Sequence, residues 1–387
     1  KPVWLKRCNM DYEFVRFIWW VLIGVLLIGF AITDGFDRGV GALLKIVGKT
    51  DNERRVMINA VAPHWDGNQV WLITAGGALF AAWPPVYATS FSGFYLAMIL
   101  TLVALYFRPI GFDYRSKLDS ANWRSNWDWA LTFGSSVPPI IFGVAFGNLL
   151  LGVPFHFDDL LRVNYTGSFF ALLNPFALLV GVLSLLMFVS QGAAYLQMKT
   201  EGDVLKRSQN IGLISGLGAA LLFVLAGVWL SAGIDGYVLT SVIDHNAINN
   251  AVSKTVEVKA GAWLQNYADA PILWLFPVLG VAAFALAGLL SKAGKGALAF
   301  VLSSLGQAGV ILTCGISMFP FVMPSSSNPS HSLTMWDATS SELTLKIMFI
   351  VACIFVPIVL GYTIWSYAKM FGRLNEKTIQ DNTHSLY

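Results

Sequence analysis

The stretch His64-Trp65-Asp66-Gly67-Asn68-Gln69-Val70-Trp71 opens a run of 41 residues, 67 to 107, that carries no charged side chain. Forty-one residues are too many for one crossing of a membrane, and Trp83-Pro84-Pro85 punctuates them with a turn signal beside an interfacial aromatic. The run therefore holds most of two transmembrane helices, with an acid at its mouth. A carboxylate near the centre of a membrane helix costs roughly 2.5 to 3.5 kcal/mol on insertion scales, so an acid kept at such a place serves ion or proton movement.

The rest of the chain repeats the pattern. With 56% hydrophobic and 12% charged residues and a mean hydropathy of +0.63, these 387 residues do not describe a soluble fold. Further uncharged gaps fall at 17–33, 129–157, 163–198, 208–234, 270–291, 296–336 and 347–368. Each is near or above the roughly 17 to 25 residues that cross about 30 Å of hydrocarbon. The gap 296–336 holds one helix followed by Pro320, Pro324 and the run Ser325-Ser326-Ser327-Asn328-Pro329-Ser330, which is expected as an exposed loop. An all-α integral membrane protein with nine transmembrane helices results. Assigning lysine and arginine to alternate sides places 17 after odd-numbered spans and 8 on the other side, so the amino terminus is expected outside and the carboxyl terminus in the cytoplasm.

Lys1, Lys6 and Arg7 ahead of an apolar run resemble the start of a signal peptide, but the run passes into Thr33-Asp34-Gly35 without a small-residue cleavage site. Met10 reads as a natural start, which makes residues 1–9 an N-terminal extension and 10–387 a single transmembrane domain. Small residues at four-residue spacing, Gly35 with Gly39, Gly143 with Gly147, and Gly212 with Gly216, mark close helix packing. Most of the 14 tryptophans suit interfacial anchoring; Trp71 falls well inside its span.

Span one descends to Thr33-Asp34-Gly35-Phe36-Asp37, and span two rises from the same side near Pro63. Asp34 and Asp37, three apart, share a helical face; Asp66 with Gln69 and His64 with Asn68 do likewise. The expected outcome is one cytoplasmic-side cluster of three carboxylates, an imidazole and two amides, suited to passing protons near neutral pH. The plainer alternatives put Asp34 and Asp37 in the headgroup region as helix-end residues, or pair them with Arg38, Arg54 or Arg55. Arg108, expected at the end of span three, is placed to hold an acid from the cluster. Of the five histidines only His64 lies in or near a span, and Cys8, Cys314 and Cys353 form no CxxC pair. A bis-histidine haem needs two imidazoles at matching depth, so this chain by itself should hold no redox metal.

In order along the chain, Asp34-Gly35-Phe36-Asp37, Pro63-His64-Trp65-Asp66-Gly67-Asn68-Gln69-Val70-Trp71, Phe107-Arg108-Pro109, Gly111-Phe112-Asp113-Tyr114-Arg115 and Gly143-Val144-Ala145-Phe146-Gly147-Asn148 match one family. The match continues through Met318-Phe319-Pro320-Phe321-Val322-Met323-Pro324, Leu333-Thr334-Met335-Trp336-Asp337 and Lys369-Met370-Phe371-Gly372-Arg373. From Met10 to Tyr387 the sequence resembles subunit II of the bacterial cytochrome bd-type ubiquinol oxidases. The resemblance implies two four-helix bundles plus one peripheral helix in the bacterial inner membrane. It implies a partner subunit I carrying haems b558, b595 and d, a small accessory single-helix subunit, quinol and dioxygen as substrates of the complex, bound lipid or a structural quinone, and no nucleic acid. It also implies a proton pathway in which Asp66 is the acidic member, with Asp34, Asp37, His64 and Arg108 on neighbouring positions, and an oxygen route beside Trp71. Arg38 departs from the pattern, standing where relatives commonly carry an apolar residue. Two rivals remain at this stage. A proton-coupled transporter would show helices broken near the midplane and an inverted internal repeat, and none is visible; an assembly scaffold would tolerate loss of Asp66.

Overall fold

The computed structural model describes residues 11–375 and 377. The expected extension, residues 1–9, lies outside them. Asp11 opens the first helix by accepting from the Phe14 amide at 2.9 Å, and α1 then runs unbroken from Tyr12 to Val47. Its 36 residues span about 54 Å at 1.5 Å per residue. Asp34 and Asp37, expected at the end of span one, therefore sit in the helix interior. The carboxylates do not compete with the helix backbone because side-chain donors occupy them, as described below.

A capping box, Thr50 with Glu53, starts the short helix α2, Asp51–Val61. Next come α3, Trp65–Ala82, α4, Pro84–Gly93, and α5, Tyr95–Tyr114. The α3 and α4 axes differ by 120° at Trp83. Pro84 and Pro85 have no amide hydrogen to continue the ladder, and Ser340 fills in: its amide donates to Ala82 O at 2.8 Å and its hydroxyl to Ala81 O. Helix α5 continues through Pro109 to Tyr114, so Arg108 is also interior rather than terminal.

The remaining helices are α6, Ala121–Leu151, α7, Pro175–Lys199, α8, Gly202–Gly233, the single-turn α9, Gln265–Asp269, then α10, Leu275–Lys292, α11, Gly296–Met318, and α12, Glu342–Lys369. Among the described residues eight helices can cross a membrane by length and composition, or nine if the bent α3–α4 pair counts as one. Helices α7, α8, α10 and α11 pack in a ring; α1 packs on α3, α6 and α7, and α5 on α6. Glycine permits the tightest crossings: a Cβ on Gly39 would lie 2.0 Å from Phe188 O, and one on Gly143 2.3 Å from Val180 O. Helix α12 stands apart, with Leu345 its one buried residue.

Three antiparallel hairpins cover one end of the helices: β1, Phe155–Phe157, with β2, Val163–Tyr165; β3, Asp235–Leu239, with β4, Val256–Ala260; and β5, Phe321–Met323, with β6, Leu333–Thr334. Within the run expected as an exposed loop, Ser326 and Ser327 are exposed and Asn328, Pro329 and Ser330 half-buried, whereas Ser325 and the flanking Phe321, Met323, Leu333 and Met335 are all 2% exposed or less. Ser325 and Ser332 can be buried because their hydroxyls meet backbone groups, Ser332 Oγ taking the Ser325 amide at 2.9 Å and Ser325 Oγ donating to Phe155 O. The opposite end is basic. There Asp128, fully buried, is gripped by Arg54 at 2.8 Å and Arg115 at 2.6 Å, so the charged loops fold onto one another.

Candidate functional site

Within α1 a spacing of four aligns Asp34 with Arg38, whose Nε donates to Asp34 Oδ2 at 2.5 Å. The other carboxylate oxygen accepts from Arg108 Nη1 of α5 at 2.9 Å. All three side chains are at most 1% exposed. The guanidiniums are also walled by rings, Arg38 over Phe30 and Phe142 at 5.6 and 5.9 Å, and Arg108 over Trp65 at 5.7 Å. A charge buried in this way is tolerable only when paired, and here one carboxylate serves two cations.

Asp37 lies one turn along the same face. Its Oδ2 accepts from Asn68 Nδ2 of α3 at 2.6 Å, and Asn68 Oδ1 accepts from the Tyr367 hydroxyl of α12 at 2.7 Å. The Tyr367 ring stacks on His64 with centroids 4.0 Å apart and an interplanar angle of 16°. A carboxylate on α1, an amide on α3 and a phenol on α12 thus form one hydrogen-bonded line. Asp37 Oδ1, Arg108 Nε and Arg108 Nη2 are buried without a protein partner.

Asp66 does not join this group, contrary to the expected three-acid cluster. It is exposed, in the first turn of α3. Successive helix residues turn by about 100°, so Asp66 points roughly 200° away from the buried Asn68, whereas His64 and Asn68, four apart, share a face. The outward stripe that Asp66 begins continues through Val70, Ile73 and Phe80, all more than half exposed. His64, also buried, stands at the mouth of α3 and contributes its ring to the stack with Tyr367.

Trp71, half-buried, lays its indole against α1, where a Cβ on Gly29 would meet the ring at 2.7 Å. Beyond it lies an apolar cavity of about 740 Å³ between α1, α6, α7, α8, α10 and α11, lined among others by Phe30, Phe142, Met187, Phe223, Val281 and Val310. Tyr367 was missed, since a tyrosine near the end of an apolar helix reads as an interfacial anchor. Of the arginines offered as partners for Asp34 and Asp37, Arg38 is the one found, on Asp34, and four-residue spacing alone does not say which acid it takes.

Residues 15–370 match the family model described as cytochrome bd terminal oxidase subunit II. The chain belongs to the cytochrome bd oxidase subunit II family. It is 61% identical over 378 residues to a probable cytochrome oxidase subunit 2 of Haemophilus influenzae, and 60% identical over 378 residues to the cytochrome bd-I ubiquinol oxidase subunit 2 of Escherichia coli K12. Each alignment covers 98% of this chain and 100% of the relative. The cytochrome bd ubiquinol oxidase subunit 2 of Bacillus subtilis is 33% identical over 360 residues, covering 93% of this chain and 97% of the relative. The fold resembles the structure of bd oxidase from Geobacillus thermodenitrificans with a TM-score of 0.60 at 11% identity, over 93% of this chain and 99% of that one. This cytochrome bd subunit II is thus a multi-pass membrane component of an oxidoreductase complex, and none of these matches supports the transporter reading.

Haem is implied by the family, and the histidines among the described residues are otherwise engaged; His384 lies outside them. His64 is stacked on Tyr367, while His156, His245 and His331 all lie at the hairpin end, where His331 Nδ1 accepts from the Phe157 amide and His245 stacks on Trp336. Among the described residues no group of three or more histidine, cysteine, aspartate or glutamate side chains is placed to hold a metal ion.

Proposed function

We propose that this chain is the haem-free subunit II of a quinol:oxygen oxidoreductase in the bacterial inner membrane, and that it supplies cytoplasmic protons for the reduction of dioxygen to water. In this reading the complex is electrogenic without pumping. Subunit I carries haems b558, b595 and d, quinol and dioxygen are substrates of the complex, and a small accessory single-helix subunit completes it. The chain crosses the membrane nine times, as one group of α1, α3, α5 and α6, a second of α7, α8, α10 and α11, and the peripheral α12. The hairpin end faces outside and the basic end the cytoplasm, in keeping with the charge asymmetry.

The observation that carries the proton role is the buried group Asp34, Asp37, Arg108 and Asn68 on the inner face of α3, with Asp66 on its outer face. Acids and their partners are kept at a depth where hydrocarbon penalises them, and function is the usual reason. Asp66 receives protons on the unpartnered stripe of α3 against which subunit I docks; Asp34, Asp37 and Arg108 set the field behind it, and His64 helps order the mouth. Trp71 borders an apolar route for oxygen. The cavity of about 740 Å³ takes a hydrocarbon chain, from a lipid or a structural quinone.

The deciding experiment is Asp66→Asn in the purified two-subunit complex. Quinol-driven oxygen uptake is expected to fall by about a hundredfold or more, the low end of what proton-transfer groups contribute, with haem content unchanged. Unimpaired turnover would return Asp66 to a scaffold role.

A further inference from the structure

Two acids and two guanidiniums meet in one buried cluster, and they are not used alike. Asp34 spends both oxygens on cations, Arg38 at 2.5 Å and Arg108 at 2.9 Å. Asp37 spends one oxygen on the Asn68 amide and keeps Oδ1 without a partner. The charged and titratable groups facing Asp37 from the packed elements are Asp34 and Arg38 on α1, Arg108 on α5, Tyr195 on α7 and Tyr367 on α12. Tyr195 donates to Ala60 O at 3.0 Å and Tyr367 to Asn68, so neither phenol points its proton at Asp37. With Arg38 the formal charges sum to zero; without it the same cluster would carry one uncompensated negative charge out of contact with water.

We propose that Arg38 takes the place of a stored proton: it balances the second carboxylate, so that the cluster rests with both acids ionised and Asp37 Oδ1 stands open as a proton acceptor. A buried site that cannot hold a net charge cheaply recruits a counter-charge, either a fixed guanidinium or a proton from the medium. Arg38 is fixed in that office by its bond to Asp34 and by the Phe30 and Phe142 rings around it. Arg108 Nε and Nη2 and Arg38 Nη1 are donors, and Asp37 Oδ1 an acceptor, that the protein leaves unpartnered in this buried cluster. A proton arriving at the cluster adds to Oδ1. The inference rests on the proton role proposed above, but its readout is independent of turnover.

The test is infrared spectroscopy of the protonated-carboxyl C=O stretch in the purified two-subunit complex, in H2O and D2O. Wild type is expected to show no resting carboxyl band from this cluster. Arg38→Met is expected to take up one proton from the medium on Asp37 and to gain one band that shifts in D2O. The double variant Arg38→Met, Asp37→Asn, with one acid facing one guanidinium, is expected to lose it again. Because its charges balance, the double variant is the one least prone to misassembly. A band in wild type that disappears in Asp37→Asn would overturn the proposal, as would an Arg38→Met complex with no new band. Asp66→Asn, by contrast, alters turnover and leaves this band pattern untouched, so failure of the proton route and failure of the charge-balance inference are distinguishable.

Discussion

Replacing Gly39 by alanine inserts one methyl group where α1 crosses α7, and the geometry sets the scale of the damage. The new Cβ would lie 2.0 Å from Phe188 O and 2.9 Å from Gly192 Cα, whereas ordinary contact begins at 3.4 Å. Both obstacles are backbone, so no side chain can rotate away, and the helices must part by about 1.4 Å. Overpacking of this kind typically costs about 1–3 kcal/mol, with the rigid backbone favouring the upper half, while alanine recovers about 1 kcal/mol of helix propensity. A net loss of roughly 1–2 kcal/mol remains. Separation also pulls Gln191 away from Ile32 O, to which it now donates at 3.1 Å. Gly24, in the same helix, has nothing within 4 Å of its ideal Cβ and supplies the control. In thermal melts of the purified complex, Gly24→Ala should match or slightly exceed wild type, and Gly39→Ala should melt a few degrees lower. Equal melting of the two variants would refute direct backbone contact between α1 and α7.

Two further outcomes follow from other parts of the fold. Arg16, fully buried, donates to Thr339 Oγ1 and Ala247 O at 3.1 Å each and also to His245 O and Asn249 Oδ1, tying the segment 240–255 to α1. Arg16→Ala should raise the rate of proteolysis between residues 241 and 252 several-fold in right-side-out vesicles; a wild-type cleavage rate would show that the loop is held by something else. At the basic end, burial alone would raise Glu53, but the Arg207 guanidinium and the Thr50 and Lys49 amides outweigh it and hold the carboxyl below its ordinary 4.5. A depressed acid stabilises above its unfolded value and loses that contribution as pH falls through the folded one. Stability of the complex should therefore decline below about pH 4.5, and Glu53→Gln should flatten that decline in a melt series across pH.

Helices were legible in this sequence because charges are costly in hydrocarbon: uncharged gaps of spanning length coincide with α1, α3, α5, α6, α7, α8, α10, α11 and α12. Their ends were less so. Asp34 and Arg108 looked like boundaries, since a charge normally marks where lipid stops, yet the two neutralise each other inside the packed helices and both helices run on past them. Ser325 departs from the exposed run that follows it for the opposite reason, because local polarity cannot reveal that a distant carbonyl, such as Phe155 O, waits to accept a hydroxyl. Asp34, Asp37, Asn68, His64 and Arg108 were gathered correctly by depth, but the side of α3 to which Asp66 belongs depended on which face α1 buries. Helical phase relates Asp66 to Asn68; only the packing says which of them turns inward.

The corner at Trp83 has a consequence for how the protein is made. Two carbonyls at the end of α3, Ala81 O and Ala82 O, find their donors in Ser340, a residue synthesised more than 250 positions later. Until that serine emerges, the bend holds unsatisfied peptide groups at the edge of the bilayer, a burden the nascent chain can shed only by leaving the corner loose or wet. The proline pair is thus a deferred closure: α3 and α4 are made first, and the corner between them is sealed by a segment that leads directly into α12.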